Sequence, residues 1–115
     1  MTNSAKVTAI LISGIAVLFA AQFGTIALRL HRNQPAAKAI AESLASRYPN
    51  YRITGTASYE REVIYISVWG RPENATQLEI RDWLADEKHR RQLRARVSLI
   101  FVDPKTVDAL AEYDF

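Results

Sequence analysis

An α+β domain carried on a single N-terminal membrane helix is the fold class that this sequence predicts. Three observations predict it. Residues 7–28 hold no charge, two later segments repeat apolar residues at helical spacing, and three stretches are rich in β-branched and aromatic residues. A chain of 115 residues leaves room for one small domain beyond the span. The expected layout is a tail over 1–6, a transmembrane helix over 7–30 and a membrane-edge linker over 31–35. A small α+β domain follows over 36–102, then a helical tail over 103–115.

The span comes first. Val7 to Leu28 is 22 residues without a charge. As a helix it is about 33 Å long, enough for a hydrocarbon core of about 30 Å. A cleaved signal peptide is the rival reading, since Lys6 precedes an apolar run. The run is long for that role, and Phe19 spoils the small-residue pattern before Ala21. A retained signal-anchor is therefore expected, in a bacterial inner membrane. Arg29, Arg32 and Lys38 follow the span while Lys6 alone precedes it, which favours a cytoplasmic domain. A short N-terminus with one Lys also suits export, so a periplasmic domain stays open.

Small residues line one side of this segment. Ala5, Ala9, Ser13, Ala16, Ala20, Gly24 and Ala27 recur at three- and four-residue steps, close to the helical period. Leu11, Ile15, Leu18, Phe19 and Ile26 occupy the other side. Such a stripe lets a second helix approach closely in lipid. Gln22 lies opposite the stripe and offers a hydrogen bond to another helix.

Beyond the membrane edge, Pro35 suits the first turn of a helix. Ala37, Ile40, Ala41, Leu44, Ala45 and Tyr48 then mark one apolar face, and Tyr48-Pro49-Asn50 stops it. Residues 51–59 and 62–70 alternate as strands. A turn at Glu60-Arg61 pairs Ala57 with Ile64, Gly55 with Ile66 and Ile53 with Val68, giving one coherent apolar face. Asn74 with Gln77 reads as a capping box opening a helix to about Leu93, with Ile80, Trp83 and Leu84 buried. Val97–Val102 is apolar on both faces and reads as a buried strand. Asp103-Pro104 is expected to cap a short helix with Val107, Leu110 and Ala111 on one side. The sum is a three-stranded sheet with both main helices on one face.

The order helix, strand, strand, helix, strand over 36–102 resembles the BON domain and the ring-building modules of secretion-system and flagellar basal-body proteins. The resemblance is one of topology and matches no motif residue by residue. It implies a small module beside a membrane anchor, able to associate with copies of itself.

Charge and chemistry narrow the function. All twelve acidic residues lie at or after Glu42, as do or nearly do twelve of the fifteen Lys and Arg, counted from Lys38. The net charge of +3 thus comes from Lys6, Arg29 and Arg32, around the apolar run. A neutral domain lacks the field for nucleic acid despite a pI of 9.4. With no cysteine, disulfides and thiol chemistry are excluded. His31 and His89 have no partner at ligand spacing, and no phosphate loop or nucleophile motif occurs. The chain is expected to be no enzyme, to bind no metal, cofactor or small-molecule substrate, and to work through other proteins.

Two surfaces are candidates for that work. The second face of the hairpin presents Arg52, Thr54, Thr56 and Ser58 beside Val63, Tyr65, Ser67 and Trp69. Arg52, Tyr65 and Trp69 are residue types enriched at interfaces; alternatively, the tail helix folds back over them. The second surface is basic. Arg29 and Arg32 at the membrane edge, with Lys88, Arg90, Arg91 and Arg94 after the second helix, suit phosphate or anionic lipid. Helix-dipole complementation and i, i+4 pairing of Asp86–Arg90 and Glu87–Arg91 explain part of that run equally well. The expected function is an accessory or assembly subunit of a larger membrane complex, packing against other subunits and the bilayer. A self-associating, BON-like or ring-building module is the alternative, as a homo-oligomer.

Overall fold

The computed structural model describes Gly24, Ala27, Leu28 and residues 30–115. Helix α1 runs unbroken over 30–47, and Gly24, Ala27 and Leu28 are helical as well. Strand β1 (Arg52–Ala57), strand β2 (Val63–Trp69), helix α2 (Asn74–Arg90), strand β3 (Arg96–Val102) and strand β4 (Ala109–Asp114) follow. The fold is α+β, with a four-stranded mixed sheet in the order β1-β2-β3-β4. Strands β2 and β3 are parallel, joined through α2, and the outer pairs are antiparallel. Among the described residues no helix is long and apolar enough to cross a membrane. Most of the expected span, Val7–Leu28, lies outside the described residues.

The hairpin has the register that alternation predicts. Ile53 faces Val68, Gly55 faces Ile66 and Ala57 faces Ile64. Ser58 closes it by donating its amide to the Val63 carbonyl at 2.9 Å, and its hydroxyl accepts from the amides of Glu60 and Arg61. The apolar rows continue through β3, where Ile64 meets Val97, Ile66 meets Leu99 and Val68 meets Phe101. All six side chains are buried.

Both helices lie on this face. Ala37, Ile40, Ala41 and Leu44 of α1 and Ile80 and Leu84 of α2 complete the core, while Trp83 is half-buried. Helix α1 sits so close to β1 that a Cβ on Gly55 would fall on the Ala37 carbonyl oxygen and 3.0 Å from the Ala41 Cβ. A glycine is needed there for backbone approach. Tyr48 donates its hydroxyl to Glu79, linking the end of α1 to α2. Burial, and then that bond, raises the Tyr48 pKa above the ordinary phenol value.

Four expectations need correction. The short C-terminal helix is a strand, so the sheet has four strands rather than three. Asp103 does not cap a helix; its carboxylate accepts from the Lys105 amide at 2.9 Å, its own amide donates to the Asp108 carbonyl, and Val107 takes a φ of 63°. That turn reverses the chain into β4, where Leu99 faces Tyr113 and Phe101 faces Ala111. Tyr113 then packs edge-on to Phe101, with ring centroids 6.1 Å apart, and donates its hydroxyl to Gln77 of α2 at 3.3 Å. Burial of aromatic area under α2 outweighs the weak helical pattern of 107–111.

Secondly, α1 does not begin at Pro35. Proline removes one helical hydrogen bond, and the residues before it stay helical because they are held by tertiary contacts. Arg32 pairs with Glu62, and Gln34 accepts the Ala57 amide at 2.8 Å. Thirdly, Asn74 is not a cap. Glu73 occupies that position without a side-chain bond, and the Gln77 amide group turns back to the Pro72 carbonyl. Lastly, α2 stops at Arg90 rather than near Leu93. Gln92 takes a φ of 54°, and the amides of Gln92 and Leu93 donate to the carbonyls of His89 and Lys88. This is a Schellman closure with glutamine where glycine is usual.

Candidate interaction surface

Both described helices cover one face, and among the described residues no helix lies on the other face of the sheet. Registers place three rows across it. Arg52, Trp69 and Val102 form one, Thr54, Ser67, Ile100 and Glu112 the next, and Thr56, Tyr65, Ser98 and Asp114 the third. The tail, which as a helix was the alternative cover for Tyr65 and Trp69, instead extends the sheet edge as β4. Val107 stays 64% exposed and Leu110 42% exposed. A ladder shift between Phe101 and Val102 accompanies the bulged pairing at Leu110.

Of the three residues proposed from the hairpin, Arg52 and Trp69 form a cross-strand pair. The Arg52 guanidinium stands 5.5 Å from the Trp69 ring centre, a cation–π arrangement. Trp69 is half-buried, yet its indole N–H is enclosed and has no acceptor. Tyr65 sits two positions along β2 on the same face, half-buried between Thr56 and Ser98. Ser98 donates its hydroxyl to Glu112 at 3.3 Å. The surface is amphipathic: aromatic and aliphatic groups along β2 and β3, hydroxyls and charges on the flanking strands. Ile100 and Leu110 add apolar area that hairpin patterning alone did not show, while Val102, at the end of the Arg52–Trp69 row, is buried.

Comparisons with protein-family models, curated proteins and solved structures find no match.

At the rim of this surface, Arg71 pairs with Asp103, whose side chain is almost fully enclosed. The Lys105 amide, and next the Arg71 guanidinium, hold the Asp103 carboxyl below the usual aspartate value. This pair staples the β2–α2 connection to the β3–β4 turn. Sequence spacing gave no hint of it, because the partners are 32 positions apart.

The basic candidates divide. Arg32 is bound to Glu62, and Arg90 and Arg91 both bind Glu87, a buried carboxylate in the last turn of α2. Of the two expected i, i+4 pairs, Glu87–Arg91 forms, and Glu87 adds Arg90 three residues on. Arg94 is exposed, and Lys88 is half-buried at a depression of about 420 Å³ lined also by Ala85, His89, Gln92, Leu93 and Phe115. Of the small-residue stripe, Gly24 and Ala27 are described, and both are helical and exposed. Ala9, Ser13, Ala16, Ala20, Gln22 and Arg29 lie outside the described residues. Among the described residues no cluster of His, Asp or Glu could hold a metal ion.

Proposed function

We propose that this chain is a single-pass, membrane-anchored accessory or assembly subunit of a larger membrane protein complex. The uncharged run Val7–Leu28 is the anchor, with its small-residue side packing against another helix in the bilayer. The open sheet face around Arg52, Tyr65 and Trp69 docks on a partner subunit. The observation that supports this reading is that open face, with its aromatic groups left half-exposed on a sheet whose two described helices both lie on the other side. Aromatic side chains with an arginine across the strand are what protein interfaces concentrate at their centres. A small domain with one-sided sheet coverage also gains most from such a contact.

Native mass measurement after mild detergent extraction tests it. The wild-type chain is expected in an assembly heavier than itself, and Trp69→Ala with Arg52→Ala is expected to release it. A wild-type chain that runs as a lone monomer refutes the reading.

A second reading has its own support. Strands β1 and β4 are the outer strands of the sheet, so a ring-building or BON-like module could grow edge to edge with copies of itself. Cysteines introduced at Ala16 or Ala20 separate the two. Symmetric disulfide dimers favour self-association, and cross-links to a different subunit favour the accessory role.

A further inference from the structure

One end of the sheet gathers a run of cations. Four contacts define the first end: Gln34 to Ala57, Arg32 to Glu62, the Arg96 amide to the Glu62 carbonyl, and Phe115 paired with Val97. Together they gather the start of α1, the β1–β2 turn, the segment after α2 and the close of β4. From this end the chain continues toward Ala27 and Leu28, the latter 72% exposed. The opposite end holds the turn after α1, the β2–α2 connection and the β3–β4 turn, joined by Gly70 to Val102 and Arg71 to Asp103.

At the first end, residues 86–96 carry Lys88, Arg90, Arg91, Arg94 and Arg96 against Asp86 and Glu87, and Glu87 holds both Arg90 and Arg91. Arg61 stands on the neighbouring turn with Glu60 and Glu62, of which Glu62 is already held by Arg32, and Asp114 closes β4 at the same end of the sheet. Arg61, Arg94 and Arg96 are exposed. Apolar groups accompany them: Tyr59 is 62% exposed, and Leu93 and Phe115 line the depression beside Lys88 and His89. The opposite end has no such run: Arg47, Arg52, Arg71 and Lys105 stand among Glu73, Asp103 and Asp108, and Arg71 is paired with Asp103.

From this run of exposed cations, placed at the end from which the chain leads toward the uncharged segment, we infer that the α1-proximal end of the domain docks on a bilayer surface rich in anionic headgroups, through Arg61, Arg94, Arg96 and Lys88 with Tyr59 alongside. Clustered cations next to a membrane segment are attracted by anionic lipid, each strengthening binding about five-fold. Aromatic rings suit the headgroup level. The inference builds on the anchored reading above and adds an orientation. The strands run from one end to the other, so docking by the first end stands them upright on the bilayer. The open face then looks sideways, toward neighbours in the same membrane.

The test uses the full chain, which has no cysteine of its own. A fluorophore is placed at Glu60→Cys or, at the far end, Asn50→Cys, both exposed positions. Vesicles of phosphatidylcholine, with or without phosphatidylglycerol, carry a nitroxide quencher at the headgroup. Flotation with both vesicle types, and quenching at position 60 that rises with phosphatidylglycerol while position 50 does not respond, supports docking. Arg61→Gln, Arg94→Gln and Arg96→Gln together should abolish the rise, and lysines at the three positions should keep it. Salt that shortens screening to about 3 Å should abolish it without any substitution. Flotation with both vesicles but quenching indifferent to lipid charge overturns docking and leaves the anchor standing. Flotation with anionic vesicles alone, salt-sensitive, supports docking and overturns the anchor. Flotation with neither overturns both.

Discussion

The two faces of the sheet are built from the same four strands, one residue out of step, yet they have different chemistry. The helix-side face is aliphatic on β1 and β2, adds Phe101 on β3 and closes with Tyr113 on β4. Its rows are continuous, so every side chain has apolar neighbours across the strand and above it. The open face mixes threonine, serine, arginine and acid with Trp69, Tyr65 and Ile100. The difference separates what folds the domain from what the domain offers. Substitutions on the first face should cost stability, and those on the second should cost association.

The largest contrast is expected at Phe101, enclosed under α2 and in contact with Tyr113. Phe101→Ala should destabilise by about 4 kcal/mol in urea unfolding, through lost burial and a cavity. Gly55→Ala comes next, at about 3 kcal/mol, because the added methyl meets the Ala37 backbone and α1 must lift from β1. A fully stable Gly55→Ala variant would mean that α1 does not pack at the distance described. On the open face, Thr54→Ala and Ser67→Ala should stay within about 0.5 kcal/mol of the wild type by the same measurement. A large loss there would show that the face is part of the core.

Acid sharpens the comparison at the rim. The Asp103 carboxyl is held below its ordinary value of 3.8, so its contribution is complete above that pH and is lost as pH falls toward the lower folded value. Stability should therefore drop with acid below about pH 4, and Asp103→Asn should remove that part of the dependence. The smallest effect is expected at Gln92. Its positive φ costs a side-chain-bearing residue, so Gln92→Gly should raise stability by about 1 kcal/mol. The change is read as a higher unfolding midpoint.

How far these features could be read in advance depended on their range along the chain. The hairpin register was legible because Ile53, Gly55 and Ala57 alternate against Ile64, Ile66 and Val68, and a shift by one residue would turn all of them to water. The faces of α1 and α2 were legible for the same local reason. Strand β4 was not, since Val107, Leu110 and Ala111 also fit a helical spacing. The competing signal was the alternation of Ala111, Tyr113 and Phe115, whose value comes from α2 and β3, far away in sequence. Asp103-Pro104 serves helix caps and turns alike, and only Val107 in the left-handed region separates the two outcomes. Of the site, Arg52, Tyr65 and Trp69 were legible from the hairpin alone. The contribution of Ile100 and Leu110 was hidden until the strand order was known. The ties from Arg32 to Glu62 and from Arg71 to Asp103 join residues about 30 positions apart, and no local pattern encodes them.

The central claim is that the open face meets another protein while the outer side of α1 meets solvent. Photo-crosslinking in native membranes compares them directly, with the reactive side chain placed at Thr54 on the sheet or at Lys38 on α1, both exposed. The account predicts a discrete adduct of higher mass from Thr54 that disappears when Trp69→Ala is added, and none from Lys38. Equal labelling at both positions, or none at Thr54, would contradict it.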